Sequence, residues 1–414
     1  MGTSSHYSER MDAKTCAEFK AAMERKRANL PSRIRPYTRD YSSATSSETS
    51  VSQPNLPRAL LLTGPRGVGK TTFLLHHSRA SRMLYLSADN PLLADEPLYQ
   101  TVKSIFMAGY EGVIVDEIHY ARDWSQHLKA LYDDFPAHRL WISDSSALVL
   151  RAGFADTSRR FVPIRLPLLS FREFLFLETG TDYEICNPFA DDRQLPLSPG
   201  PAILAAFQKY KTCGTRPFYN EGNFQERMLA VLDKTLYSDV PFFLPGVNDG
   251  NLRLMKAIIG TLGTSAIPRL NVRSLCSDWN IGAEKLYQIL MVMESVGVLR
   301  ILRPENDTKA QSAGAKLFFA DPAYYPILHG SQGTTREALT AALCAEAGWT
   351  VETTKDDSTG DFVITSARGT KIRKLKIEVG GASKKIKGAD YVIRDDIDYP
   401  AGRALPLWLL GMGW

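Results

Sequence analysis

No stretch of this 414-residue chain stays apolar for the roughly 18–20 residues that a membrane-crossing helix needs, so no membrane partner is expected. Cysteine is scarce: Cys16, Cys186, Cys213, Cys276 and Cys344 contain no CxxC pair, and the seven histidines contain no HExxH. Those absences argue against a structural zinc, a zinc-protease centre and a disulfide framework, and they suit a reduced, cytoplasmic protein. The N-terminus has no apolar signal core. Charge of one sign is also lacking. Fifty Lys and Arg against 45 Asp and Glu leave a net +5, too little by itself to specify a polyanionic partner. Hydrophobic residues are not scarce. At 44% they fill the cores of the two or three domains that this length suggests.

Residues 1–54 read as an N-terminal helix, "DAKTCAEFKAAMERKRANL", and a flexible Ser/Thr-rich linker with little to bury. From 55 to 180 the character changes. "RALLLTG", "RMLYLSAD", "EGVIVDE" and "HRLWISDSS" are apolar runs separated by helical stretches such as "DWSQHLKALYDDF". That alternation predicts βαβ units and an α/β fold with a parallel sheet. Residues 181–305 carry helical patterns that form a lid, then a winged helix-turn-helix pattern. One helix would bury Val272, Leu275, Cys276 and Trp279, "NIG" turns, and a second would bury Leu286, Ile289, Leu290, Met293 and Val296. Gly297 stops it and "VLRILR" follows as a strand. Residues 306–414 alternate again through "KLFFAD", "REALTAALCAEAG", "WTVETT", "GDFVITS", "KLKIEVGG", "ADYVIRD" and "LWLLGMGW".

The sharpest motif is "GPRGVGKTT", Gly64–Thr72, which follows an apolar strand and opens a helix. Gly64, Pro65, Arg66, Gly67, Val68 and Gly69 would form a loop whose amides face phosphate oxygens. Lys70 would place its charge on the β- and γ-phosphates of ATP. Thr71 would offer a hydroxyl to Mg²⁺, with Thr72 behind it on the helix N-terminus. "GVIVDEIH" then supplies Asp116 for Mg²⁺ and Glu117 to polarise the attacking water. In the next strand, "LWISDSS", Ser143 or Ser145 would sense the γ-phosphate, or simply end the strand. Arg159 and Arg160 follow, either a solvated pair or the source of a catalytic arginine for a neighbouring subunit. "DEIH" has too few letters to mark a helicase.

"LLLTGPRGVGKTT", "VIVDEIHYARDW", "WISDSSALVL" and "LPLLSFREFL", in this order, resemble the AAA_14-type archaeal and bacterial P-loop ATPases, which are AAA+ or STAND-like. "KLFFADPAYY" is similar to the start of the C-terminal DUF4143 region that such proteins usually carry. The resemblance implies an AAA+ core, a winged helix and a nuclease-like α/β domain over 306–414. It also implies a homo-oligomer, a ring with hexamer among its forms, completed by Arg160. Two positions depart from the family pattern. Asp144-Ser145 stands where Gly-Ser is usual, and Arg159 where glycine precedes the arginine.

The C-terminal part has the layout of a metal-dependent nuclease: Glu337 on a helix, Asp361, then Glu378 at the end of the next strand. The lysine expected two residues after Glu378 is Gly380, so an inactive or degenerate domain is expected. Around it Arg368, Lys371, Arg373, Lys374, Lys376, Lys384, Lys385 and Lys387 face Glu378 alone, as a grip on duplex or branched DNA or as a solvated strand face. The expected activity is therefore ATP hydrolysis coupled to binding and remodelling or translocating DNA. The alternatives are a STAND-like nucleotide switch that holds a protein partner, and an ATP-coupled nuclease.

Overall fold

The five strands that read as apolar runs, or follow them, lie side by side in one all-parallel sheet. They are β1 (Ala59–Thr63), β2 (Met83–Ser87), β3 (Gly112–Asp116), β4 (Arg139–Asp144) and β5 (Val162–Arg165), in the order β2-β3-β4-β1-β5. The structure is a computed structural model. It describes residues 13–35, 56–93, 96–145, 159–190, 193–244, 246–264, 276–278, 280–305, 315–354, 359–366, 373–381 and 388–414. Strands β1 to β4 are buried almost throughout, because helices cover a parallel sheet on its faces. Helix α1 (Ala13–Ala28) lies on β2, α2 (Lys70–His77) on β4 and α3 (Leu98–Met107) on β3, while α4 (Trp124–Asp134) packs on α3. Edge strand β5 is largely exposed and carries Pro163, whose missing N–H costs nothing at an edge. The important feature is the crossover. Strand β4 lies between β1 and β3, so its C-terminal end separates the loop after β1 from the acids after β3.

This first unit takes in the N-terminal helix α1. Phe19 and Met23 are buried, and Arg27 Nη2 donates to Ser78 O at 3.1 Å and Ser78 Oγ at 2.9 Å. The Ser/Thr-rich linker lies outside the described residues. The unit ends at Leu166 rather than near 180. The reason lies in helix α5 (Phe171–Thr179), whose Phe171 and Phe174 rings meet Phe207 and Tyr210 of α6 (Pro201–Cys213) at 5.0 and 5.6 Å.

The second unit contains Arg35 and the chain from Pro167 onward, with no break at 305. Helices α7 (Phe224–Lys234), α8 (Asp249–Thr264) and α9 (Ala283–Ser295) precede an antiparallel pair, β6 (Leu299–Leu302) and β7 (Lys316–Phe319). Leu286, Ile289, Leu290, Met293 and Val296 are buried as the helical spacing requires. Of the helix expected before α9, Cys276 is helical, while Val272, Leu275 and Trp279 lie outside the described residues. Helix α10 (Gln332–Glu346) then packs on a mixed sheet of β8 (Trp349–Thr353), β9 (Phe362–Ser366), β10 (Arg373–Gly380), β11 (Tyr391–Arg394) and β12 (Ala404–Pro406), in the order β12-β11-β10-β9-β8. "LWLLGMGW" is a buried helical turn after β12 rather than a further strand.

"LPLLSFREFL" has a structural explanation. Ser170 and Glu173 form a capping box at the start of α5. Arg35 grips Glu173 with two hydrogen bonds of 2.9 and 2.7 Å, and its Nη1 donates to Pro167 O at 2.8 Å. Both side chains are about 98% buried or more. Removing one partner of such a pair strands the other charge in a dry interior. Glu173→Ala should cost about 3–5 kcal/mol, read from urea unfolding. A loss below about 1 kcal/mol, the worth of an exposed pair, would show that this pair is not buried.

Candidate functional site

The loop after β1 is shaped by glycine where no other residue fits. A Cβ on Gly64 would lie 2.2 Å from Leu166 O, and Gly69, the residue before α2, has φ +93°. The chain can then bend so that the first amides of α2 point into the loop. Lys70 begins α2 and is buried. Its Nζ donates to Gly64 O at 2.8 Å and Pro65 O at 3.2 Å, and burial lowers its pKa.

Asp116, at the end of β3, is where four elements meet. Thr71 Oγ1 donates to its Oδ2 at 2.6 Å and Tyr85 OH does so at 3.0 Å. Ser143 Oγ donates to Oδ1 at 2.6 Å, and the Glu117 amide donates to the same oxygen at 3.1 Å. Helix α2 and strands β2, β3 and β4 are thus tied to one carboxylate. Burial and the neighbouring Asp116 push the Tyr85 hydroxyl pKa well up, so it stays a donor.

Glu117 has φ +52°, the left-handed region that a non-glycine residue occupies at a cost of about 1–3 kcal/mol. The following turn is pinned from β4: Asp144 Oδ2 accepts from the His119 amide at 3.1 Å and faces His119 Nδ1 at 2.7 Å, both side chains being fully buried. The Glu117 carboxylate is held at both oxygens. Arg66 Nη1 lies 3.0 Å from Oε1, and Ser145 Oγ donates to Oε2 at 3.1 Å. Burial raises the Glu117 pKa, and Lys70 and Arg66 offset part of that rise. Glu117, His119 and Asp144 each bring a possible ligand atom within 4.8 Å of one another.

The loop and these side chains fit a magnesium nucleotide. Only glycine clears the Leu166 carbonyl, a buried ammonium sits at the loop, and Thr71 already touches Asp116, as two ligands around one cation would. Ser143 stands behind Asp116, whereas Ser145 touches Glu117. Arg160 is not at this site. It precedes β5, which starts beside Leu60 at the opposite end of β1, and it pairs with Asp133 at 2.8 Å.

In the second unit, Asp361 and Glu378 come together, since Phe362 pairs with Ile377 and places the two acids opposite each other. Asp361 Oδ2 also accepts from the Val379 amide at 2.8 Å. A lysine reaches these acids from a strand that sequence spacing did not connect with them. Lys316, from β7, puts Nζ 3.4 Å from Glu337 Oε2 and 3.7 Å from Asp361 Oδ1, and all three are buried. Of the basic stretch, Arg373, Lys374 and Lys376 lie on β10, and Lys374 pairs with Glu305. Arg368, Lys371, Lys384, Lys385 and Lys387 fall outside the described residues. No described helix is long and apolar enough to cross a membrane.

Residues 56–175 match the AAA_14 family, described as an AAA domain. An uncharacterized protein of Methanocaldococcus jannaschii, MJ1637, is 27% identical over 370 residues, covering 79% of this chain and 76% of its own. Among solved structures, the Walker-type ATPase PABY2304 of Pyrococcus abyssi aligns at TM-score 0.39 and 13% identity, over 66% of this chain and 91% of that one. The Holliday junction branch migration motor RuvB of Thermotoga maritima aligns at 0.32 and 16%, over 66% and 87%. Both scores are too low to carry an activity across.

The raised Glu117 pKa has a consequence for stability. The folded protein holds this proton more tightly than the unfolded chain does. The resulting stability is fully present below the unfolded value, about 4.3 for a glutamate, and is lost as pH rises through the folded value. Charged Glu117 therefore costs stability at neutral pH. Glu117→Gln should raise the urea midpoint at pH 7.5, with the gain shrinking on acidification toward pH 4. An unchanged or lower midpoint at pH 7.5 would contradict the assignment.

Proposed function

With residues 56–175 an AAA domain of the AAA_14 type, we propose that the protein binds ATP with Mg²⁺, hydrolyses it, and uses the cycle to act on DNA. The observation that carries hydrolysis is the arrangement at the end of β3. Asp116 is held beside Thr71, where it would serve as a metal carboxylate, and the next residue, Glu117, stands within reach of Arg66 of the glycine-rich loop. The loop amides and Lys70 would take the phosphates. Mg²⁺ would neutralise charge on the β- and γ-phosphate oxygens. Glu117 would accept a proton from the attacking water as that oxygen bonds to the γ-phosphorus. The bond from that phosphorus to the bridging oxygen breaks, leaving ADP and phosphate. Ser143 acts here as a positioning residue through Asp116. Arg160, at the far end of the sheet from its own loop, would serve a neighbouring subunit's site in a homo-oligomeric ring.

The DNA role rests on α9 with the β6–β7 pair, read as the second helix and wing of a winged helix, and on the basic residues of β10. We read the sheet of β8 to β12 as a nuclease-like domain of the DUF4143 kind that grips without cutting. Lys316 supports this: an ammonium seated between Glu337 and Asp361 already neutralises the charge that would draw a divalent cation. One observation favours the second reading, a slow nucleotide switch for a protein partner. Both Glu117 oxygens are engaged, which restrains the base.

Steady-state ATP turnover with duplex, single-stranded and four-way-junction DNA decides between them. The DNA reading expects stimulation of about tenfold or more by one form, with the DNA left uncut in Mg²⁺. Lys70→Ala and Glu117→Gln should each lower turnover about 10²-fold or more. Slow turnover that ignores every DNA would favour the switch, and magnesium-dependent cutting lost in Glu378→Ala would favour the nuclease.

A further inference from the structure

Arg66 belongs to the phosphate loop by sequence, but its guanidinium is turned onto the base, 3.0 Å from Glu117 Oε1, with both side chains mostly out of solvent. Meanwhile the two hydroxyls that the sequence offers as γ-phosphate sensors are committed. Ser143 gives its proton to Asp116 and Ser145 gives its proton to Glu117. A hydroxyl has one proton, so neither serine donates to a phosphate while it makes these bonds. Arginine has five N–H donors in a planar fork that matches phosphate oxygens. Any group in contact with Glu117 is also close to the terminal phosphate, because the base must reach a water that attacks that phosphorus.

We propose that Arg66 is the residue that distinguishes a nucleoside triphosphate from a diphosphate in this site, by moving from Glu117 to the terminal phosphate. This rests on the ATPase reading above. With a diphosphate bound, Arg66 stays on Glu117 Oε1 and the base is restrained. With a triphosphate bound, the terminal phosphate competes for the guanidinium with more charge and more acceptor oxygens than one carboxylate offers. Glu117 Oε1 is then released to the water. Backbone supports the other side of the exchange: Glu117 is fixed by its own turn and by Ser145, so Arg66 is the partner that moves.

The test is a double-mutant cycle on binding, not on turnover. Affinities of ADP and of the non-hydrolysable imido analogue of ATP, both with Mg²⁺, are measured calorimetrically for wild type, Arg66→Ala, Glu117→Gln and the double variant. Arg66→Ala should weaken the triphosphate analogue about tenfold or more, the scale of a charge-assisted hydrogen bond, and ADP less than about threefold. Glu117→Gln should tighten the analogue about threefold or more, but only where Arg66 is present. Arg66→Gln replaces Arg66→Ala if the latter does not fold. Equal losses for both nucleotides, or a Glu117→Gln effect that ignores Arg66, would overturn the proposal while leaving the ATPase reading intact. A wild type that binds neither nucleotide would overturn both.

Discussion

Asp116 is the constraint on which the C-terminal edge of the first unit's sheet depends. One carboxylate accepts from Thr71, Tyr85, Ser143 and the Glu117 amide, and so fixes helix α2, strand β2 and strand β4 against the end of β3. Four donors on one buried acid hold it in a fixed orientation. The topology makes this possible, since placing β4 between β1 and β3 brings Ser143 and Asp144 into the gap between phosphate loop and acids. The neighbouring pair, His119 and Asp144, then holds the strained turn that presents Glu117. The Asp116 carboxylate is held by four donors, and the Glu117 carboxylate beside it by Arg66 and Ser145.

The second unit is organised by buried ion pairs rather than by one site. Arg35–Glu173 and Arg216–Asp321 are almost wholly out of water, and each ties segments far apart in the chain. Lys316 does the same for Glu337 and Asp361. Such pairs add little net stability over a well-packed apolar core, but they penalise any arrangement that leaves a charge alone.

The parallel sheet was legible because buried strands read as unbroken apolar runs, and "GPRGVGKTT" and "VIVDE" stood at the ends of two of them. The strands of the second unit were legible by alternation instead, as in "KLKIEVGG" on β10. What could not be read were contacts made across long stretches of chain. Spacing shows Gly380 after Glu378, but not that Lys316 arrives from another strand. Asp144 stands where the family pattern has glycine, and it becomes intelligible only with His119 beside it. Likewise "SFREFL" lies within the AAA_14 match, and only the structure shows that Ser170 and Glu173 cap a helix there and that Glu173 receives Arg35. The sequence offered Ser143 or Ser145 as a phosphate sensor, and their hydroxyls donate to Asp116 and Glu117 respectively.

The central claim is that Asp116 is organised as the carboxylate of a magnesium nucleotide site. The most direct measurement is the affinity of the imido analogue of ATP with and without Mg²⁺, for wild type and Asp116→Asn. The account predicts that Mg²⁺ tightens binding to wild type about tenfold or more, and that Asp116→Asn removes this increment while leaving metal-free affinity within about threefold. A magnesium increment that survives in Asp116→Asn would contradict it.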